Sequence, residues 1–190
     1  TMGGLDGNTM SGSNNLYLVK YNSSGVKEWT KLEGSSLGRG LTVDSSNNIY
    51  VTGTTNNSIL LEKYNSIGVK QWTQQLGTSS NVEGKSVTVD NSNNIYITGN
   101  TTGGLDGNTS SGRDDLFLVK YNSSGVKQWT QQLGTSSDEI CLGVKVDSSD
   151  NIYVTGYTGG GLDGNTSSGS DDLFLVKYNS SGVKQWTQQL

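Results

Sequence analysis

Histidine and proline are both absent from this 190-residue sequence, and cysteine occurs once, at Cys141. The missing histidine removes the usual general base and the usual catalytic zinc ligand before any motif is considered. One cysteine cannot form an intrachain disulfide, so no disulfide framework holds the fold. No apolar run approaches the roughly 18 residues of a membrane-spanning helix, and no charged-then-apolar leader opens the chain. The net charge of −4, without basic clusters, argues against a nucleic-acid partner. What fills the sequence is glycine (27 residues) with serine, threonine and asparagine. That is the composition of many short strands joined by turns.

The main signal is internal repetition, which is sought first because it decides the fold. Lys-Tyr-Asn occurs at 20–22, 63–65, 120–122 and 177–179, and each copy is followed by a tryptophan: Trp29, Trp72, Trp129 and Trp186. Asn-Ile-Tyr-(Val/Ile)-Thr-Gly recurs at 48–53, 94–99 and 151–156, each time after a Val-Asp pair and a polar turn. Successive tryptophans lie 43, 57 and 57 residues apart, so one unit has trimmed loops. In the last unit, alternation of apolar and polar residues predicts strands at 143–146, 151–155, 173–178 and 183–190. Fourteen such strands are expected, with no helix longer than about one turn.

The connections alternate between tight and long. Asn179-Ser-Ser-Gly182 reads as a type I turn with glycine in the left-handed position that closes a hairpin, and 147–151 reads as a similar tight turn. The segments 134–139 and 160–172 are longer. Strand parity puts both tight turns on one side of an up-and-down sheet and both long loops on the other. The strand at 173–178 is apolar on both sides, which asks for cover on both faces. Repeated four-stranded sheets packed face to face are propeller blades, or a linear stack. The small, glycine-bearing strand 143–146 suits a crowded axis, and the tryptophan strand suits the outside.

The unit DDLFLVKYNSSGVKQWTQQLGTSSDEICLGVKVDSSDNIYVTGYTGGGLDGNTSSGS resembles the seven-bladed β-propeller repeat of bacterial surface and secreted proteins, the SBBP repeat. The resemblance covers essentially the whole chain. It implies an all-β propeller of tandem four-stranded antiparallel blades, an extracellular or cell-surface setting in a bacterium, and no defined catalytic residues. The chain holds about 3.5 repeats of the seven that such a ring needs. Its expected segments are an outer half-blade with a leading loop (1–33) and blades at 34–76, 77–133 and 134–190. The half-blade is expected to find its inner strands in further blades of a parent chain, or to make edge contacts with another copy.

Several residues could carry chemistry. In the long loops, Asp106, Asn108 and Asp114, and again Asp163, Asn165 and Asp171, place oxygen ligands at alternate positions, as at the opening of a calcium loop. The EF-hand pattern fails, because Phe174 stands where the bidentate glutamate belongs, and Asp-Gly-Asn-Thr is also an ordinary turn sequence. Calcium and plain turn both remain open, and no other cofactor is expected. The tryptophans could stack a sugar, but one register in every unit beside an apolar strand favours packing between blades. Cys141, which takes the place of Gly38 and Gly84, has no base beside it and reads as a small buried thiol. Neighbouring carboxylates such as Asp114 and Asp115 point to opposite faces of a strand, which does not suit glycoside hydrolysis.

Two functional classes follow. One is a non-catalytic scaffold or adhesion module, exported by a bacterium, whose long-loop face meets a protein or glycan. The other is a carbohydrate-binding or hydrolytic propeller using the same face. Catalysis needs one asymmetric constellation, whereas these loops are near copies, which favours the first.

Overall fold

The computed structural model describes Gly7 and residues 15–34, 36–78 and 80–190; the expected leading loop, apart from Gly7, lies outside them. Among the described residues fourteen strands form, and all of the pairing is antiparallel between sequence neighbours. A two-stranded sheet of β1 (Asn15–Tyr21) and β2 (Lys27–Gly34) comes first. Three four-stranded sheets follow. They comprise β3 (Leu37–Val43), β4 (Ile49–Thr55), β5 (Ser58–Tyr64) and β6 (Lys70–Gly77); then β7 (Val82–Val89), β8 (Ile95–Thr101), β9 (Asp115–Tyr121) and β10 (Lys127–Leu133); then β11 (Glu139–Val146), β12 (Ile152–Thr158), β13 (Asp172–Tyr178) and β14 (Lys184–Gln189). Among the described residues the helical content is one 3-10 turn at Leu162–Gly164.

The hairpin turns form for the reasons their residues suggest. At 122–125 the amide of Gly125, at φ +79°, donates to the Asn122 carbonyl, and the Asn122 side-chain oxygen accepts from Ser124 and Val126. At 147–151 the Asp147 carboxylate accepts from the backbone of Ser149 and Asn151, from the Asn151 amide and from the Tyr153 hydroxyl at 3.2 Å. Asp44 and Asp90 repeat that network with Tyr50 and Tyr96. One of the trimmed loops of the short unit is the Asn56-Asn57 link between β4 and β5, both residues at positive φ (46° and 61°), the backbone of a two-residue type I′ hairpin.

The first strand of each sheet is longer than its alternation suggests. β11 begins at Glu139, inside the stretch expected to be loop, because a β-bulge between Cys141 and Gly143 shifts the phase of the pattern. The same bulge recurs between Gly38 and Gly40 and between Gly84 and Ser86. It explains the glycine that closes Asn-Ile-Tyr-(Val/Ile)-Thr-Gly. A Cβ on Gly53, Gly99 or Gly156 would overlap the carbonyl oxygen of Leu37, Glu83 or Ile140 on the bulged strand.

The sheets stack face to face, and three apolar clusters lie between them. Leu16 and Leu18 of β1 pack on Ile49, Val51, Leu60 and Tyr64. Tyr50, Ile59 and Leu61 pack on Val87, Ile97, Phe117 and Val119. Tyr96, Leu116 and Leu118 pack on Cys141, Val154, Phe174 and Val176. Burying a Leu, Val or Phe side chain stabilises by about 1.5–3 kcal/mol, and each cluster buries several. The first strands β3, β7 and β11 of successive sheets lie close together, whereas the fourth strands make no comparable contact with a neighbouring sheet. The stack therefore fans out from the β3–β7–β11 edge, where the size gradient puts the crowded side.

The short unit differs in its core as well as its loop. Glu62, 4% exposed, stands across from Val51 in the register in which Val119 faces Ile97. Its carboxylate accepts from the Tyr64 hydroxyl (2.5 Å), Thr73 (3.2 Å) and Lys70 (3.1 Å), and Lys70 also pairs with Glu33 of β2 at 2.8 Å.

Candidate functional site

The long loops at 102–114 and 159–171 are the most elaborated irregular segments, and each is folded back along the fourth strand of its own sheet. Leu105 is wholly buried in the apolar cluster of its sheet. Its amide donates to the side-chain oxygen of Gln132 on β10 at 2.9 Å. The Gln132 amide nitrogen in turn donates to the Gly103 carbonyl and to Asp115 Oδ2 (2.7 Å), which also accepts from the Ser111 amide. The second loop repeats the scheme. Leu162 is buried, its amide donates to Gln189, and Gln189 and the Ser168 amide both donate to Asp172 Oδ2. Hydrogen bonds from Ser168 and Gln189 hold the Asp172 carboxyl well below the usual carboxylate range.

The six residues considered for calcium have definite places in this arrangement. Asp106 is ion-paired with Lys127 at the start of β10, and Asp163 with Lys184 at the start of β14. The side-chain amides of Asn108 and Asn165 donate to the carbonyls of Leu105 and Leu162 at 2.8 Å, closing turns in which Asp106 and Asp163 both sit at φ 56°. Asp171 is exposed. Asp114 is raised above the usual carboxylate range by burial and by the charges of Asp138 and Glu83. Those two carboxylates are paired with Arg113 (3.5 Å) and with Arg39 and Lys85 (3.3 and 3.2 Å). Among the described residues, no group of three or more histidine, cysteine, aspartate or glutamate side chains is arranged to hold a metal ion. Asp106 with Asn108, and Asp163 with Asn165, build a turn around a buried leucine, a role that Leu105 and Leu162 signal only as lone apolar residues in polar loops.

Trp29, Trp72 and Trp129 pack between sheets. Trp72, Trp129 and Trp186 lie 6.1–6.2 Å from Tyr50, Tyr96 and Tyr153, with the rings tilted. The other side of the Trp29, Trp72 and Trp129 indoles meets the turn glycines Gly68, Gly125 and Gly182 of the following sheet. A lysine lies over each tyrosine: Lys63, Lys120 and Lys177, at 5.2–5.5 Å from the ring centroid. Cys141 stands across from Gly156, as Gly38 and Gly84 stand across from Gly53 and Gly99. Burial pushes its thiol up to about 12, far from the thiolate that nucleophilic chemistry requires, and its sulfur lies 2.8 Å from the Thr98 hydroxyl.

The family model described as the SBBP beta-propeller repeat matches residues 28–60, 71–106 and 128–163, more than half of the chain. The chain belongs to the SBBP beta-propeller repeat family. Each matched SBBP repeat starts beside a tryptophan and runs through the Asn-Ile-Tyr segment of the next sheet, so one sequence copy straddles two sheets. An uncharacterized WD repeat-containing protein of Acanthamoeba polyphaga mimivirus is 37% identical to this SBBP chain over 81 residues. That match covers 37% of this chain, and the chain spans only 6% of the viral protein's length. A crystal structure of a protein of unknown function from Bacteroides caccae aligns with 90% of this chain and 73% of its own, at 12% identity and a TM-score of 0.38.

Proposed function

We propose that this SBBP chain is a non-catalytic binding scaffold, working outside the cytoplasm of a bacterium, that presents its long-loop side to a protein or glycan partner. The bracing of the loops carries this reading. The buried Leu105 and Leu162, the glutamine bridges and the Asp–Lys pairs hold both loops in one shape. Residues 107, 109, 111 and 113 are exposed on one loop, and their counterparts 164, 166, 168 and 170 on the other. A surface already ordered before contact loses less conformational entropy on binding, and two near copies suit a repetitive partner. Asp106 and Asp163 are committed to lysines, and repetition of one polar pattern differs from the single asymmetric constellation that catalysis uses.

The test is a screen of the purified chain against a glycan array and bacterial surface proteins, repeated with Thr109→Asp/Thr166→Asp. A partner that the double variant loses, with unchanged thermal melting, supports the reading. Binding indifferent to both loops overturns the assignment to this side. Fractionation of the source cells tests the export expectation.

A further inference from the structure

A second surface lies on the side opposite the long loops, beside the Asn-Ser-Ser-Gly turns. Between the last two sheets there is a cleft of about 320 Å3 lined by Asn94, Lys120, Gln128 and Trp129 of one sheet and Ser180 and Ser181 of the next. Lys120 is fixed in it: its ammonium donates to the Ser180 carbonyl at 3.0 Å and sits 5.2 Å over the Tyr96 ring. Among the described residues no carboxylate is ion-paired with Lys120. Asp90, the carboxylate hydrogen-bonded to Asn94 and Tyr96, has both oxygens engaged by Ser92, Asn94 and Tyr96.

The first sheet boundary supplies a contrast within the same chain. Lys20 also donates to a turn carbonyl, that of Ser66 at 3.3 Å, but it is ion-paired with Glu28 at 2.7 Å. The residue at the position of Glu28 is Gln71, Gln128 and Gln185 in the later units. A carboxylate therefore reaches this lysine geometrically, and three of the four units carry an amide in its place. The remaining lining offers hydroxyls and amides. Trp129 contributes no stacking platform, since the Gly182 turn covers its face.

We propose that this cleft binds an acidic saccharide, with the sugar carboxylate on Lys120 and its hydroxyls on Ser180, Ser181, Gln128 and Asn94. A cation held in place beforehand favours a charge-assisted hydrogen bond, and serine and amide groups both donate to and accept from sugar hydroxyls. The site is separate from the long-loop side and does not depend on that reading.

The experiment follows the amide NMR signals of Ser180 and Ser181 during titration with trigalacturonate, its methyl ester and triglutamate. Trigalacturonate is expected to shift them and the uncharged ester to leave them in place. Gln128→Glu, which reproduces the Lys20–Glu28 pair, should weaken binding about tenfold, as should Lys120→Gln. No shift with trigalacturonate, or shifts untouched by both variants, overturns the proposal. Triglutamate binding as tightly as the sugar overturns the saccharide assignment. Binding lost in Thr109→Asp/Thr166→Asp instead would move the ligand to the long-loop side and refute the cleft, whereas failure of trigalacturonate to bind leaves the long-loop reading standing.

Discussion

Gly182 lies flat against the indole of Trp129, so close that a Cβ on the glycine would come within 3.0 Å of the ring. The glycine is at φ +80°, so one residue serves both the left-handed turn and the contact between sheets. Gly125 with Trp72 and Gly68 with Trp29 repeat the pair, and each pair joins the outer hairpins of neighbouring sheets.

Gly125→Ala should therefore destabilise by more than the about 1–2 kcal/mol of a left-handed alanine, because the methyl also meets Trp72 at 3.2 Å. Trp72→Ala should cost about 3 kcal/mol, the low end for such truncations because the ring is only partly buried. Urea melting checks both. Melting of Trp72→Ala indistinguishable from the parent would show that the tryptophan does not serve packing.

Leu105 is wholly buried although it belongs to a loop. Leu105→Ala is expected to cost about 2–4 kcal/mol, as for a core leucine, while Thr109→Ala, on the exposed side of the same loop, should melt like the parent. If both variants melt alike, the leucine does not anchor the loop.

Acid should loosen the loops. Burial alone would raise the Asp106 and Asp163 carboxyls, but the hydrogen bonds and charges of Lys127 and Lys184 outweigh it, so both lie below the ordinary 3.8. The folded state then binds fewer protons than the unfolded one as pH falls towards these values, so the contribution is complete above the ordinary carboxylate range and is lost below it. Asp106→Asn/Asp163→Asn should melt lower than the parent at pH 7, with the gap closing towards pH 3. A gap constant with pH would exclude the ion pairs as its source.

The calcium expectation falls on the same aspartates. With Lys127 and Lys184 paired to them, millimolar calcium is expected to leave the melting temperature unchanged. A rise, by the linkage of binding to stability, that disappears in Asp106→Asn/Asp163→Asn would show that the metal displaces the lysines.

The strands and tight turns were legible because their signals are local: alternation in Ile-Tyr-Val-Thr, and asparagine and glycine where the backbone must turn. The start of β11 was hidden because the bulge beside Cys141 breaks the alternation at Glu-Ile-Cys-Leu. The Asp-Gly-Asn loops suggest either cation ligands or a plain turn, and their spacing records which oxygens are near one another in sequence but not that Lys127 and Lys184 approach from another strand. Burial was legible only in part. Asp-Leu-Phe-Leu-Val-Lys-Tyr forms both β9 and β13, yet Leu116 is wholly buried and Leu173 is 53% exposed. The same heptapeptide reads as apolar on both faces wherever it stands, and only the neighbouring sheet decides whether the second face is covered.

The offset between sequence copy and sheet sets how the chain can be divided. Tyr50 belongs to the first matched copy and Tyr96 to the second, while Trp72 and Trp129, which complete their sheets, belong to the second and the third. The copies overlap like roof tiles. A cut between copies splits a sheet, and a cut between sheets splits a copy. During synthesis, each sheet stays unfinished until the first strand of the following copy has emerged, so order is handed forward along the chain and no copy is a self-sufficient module.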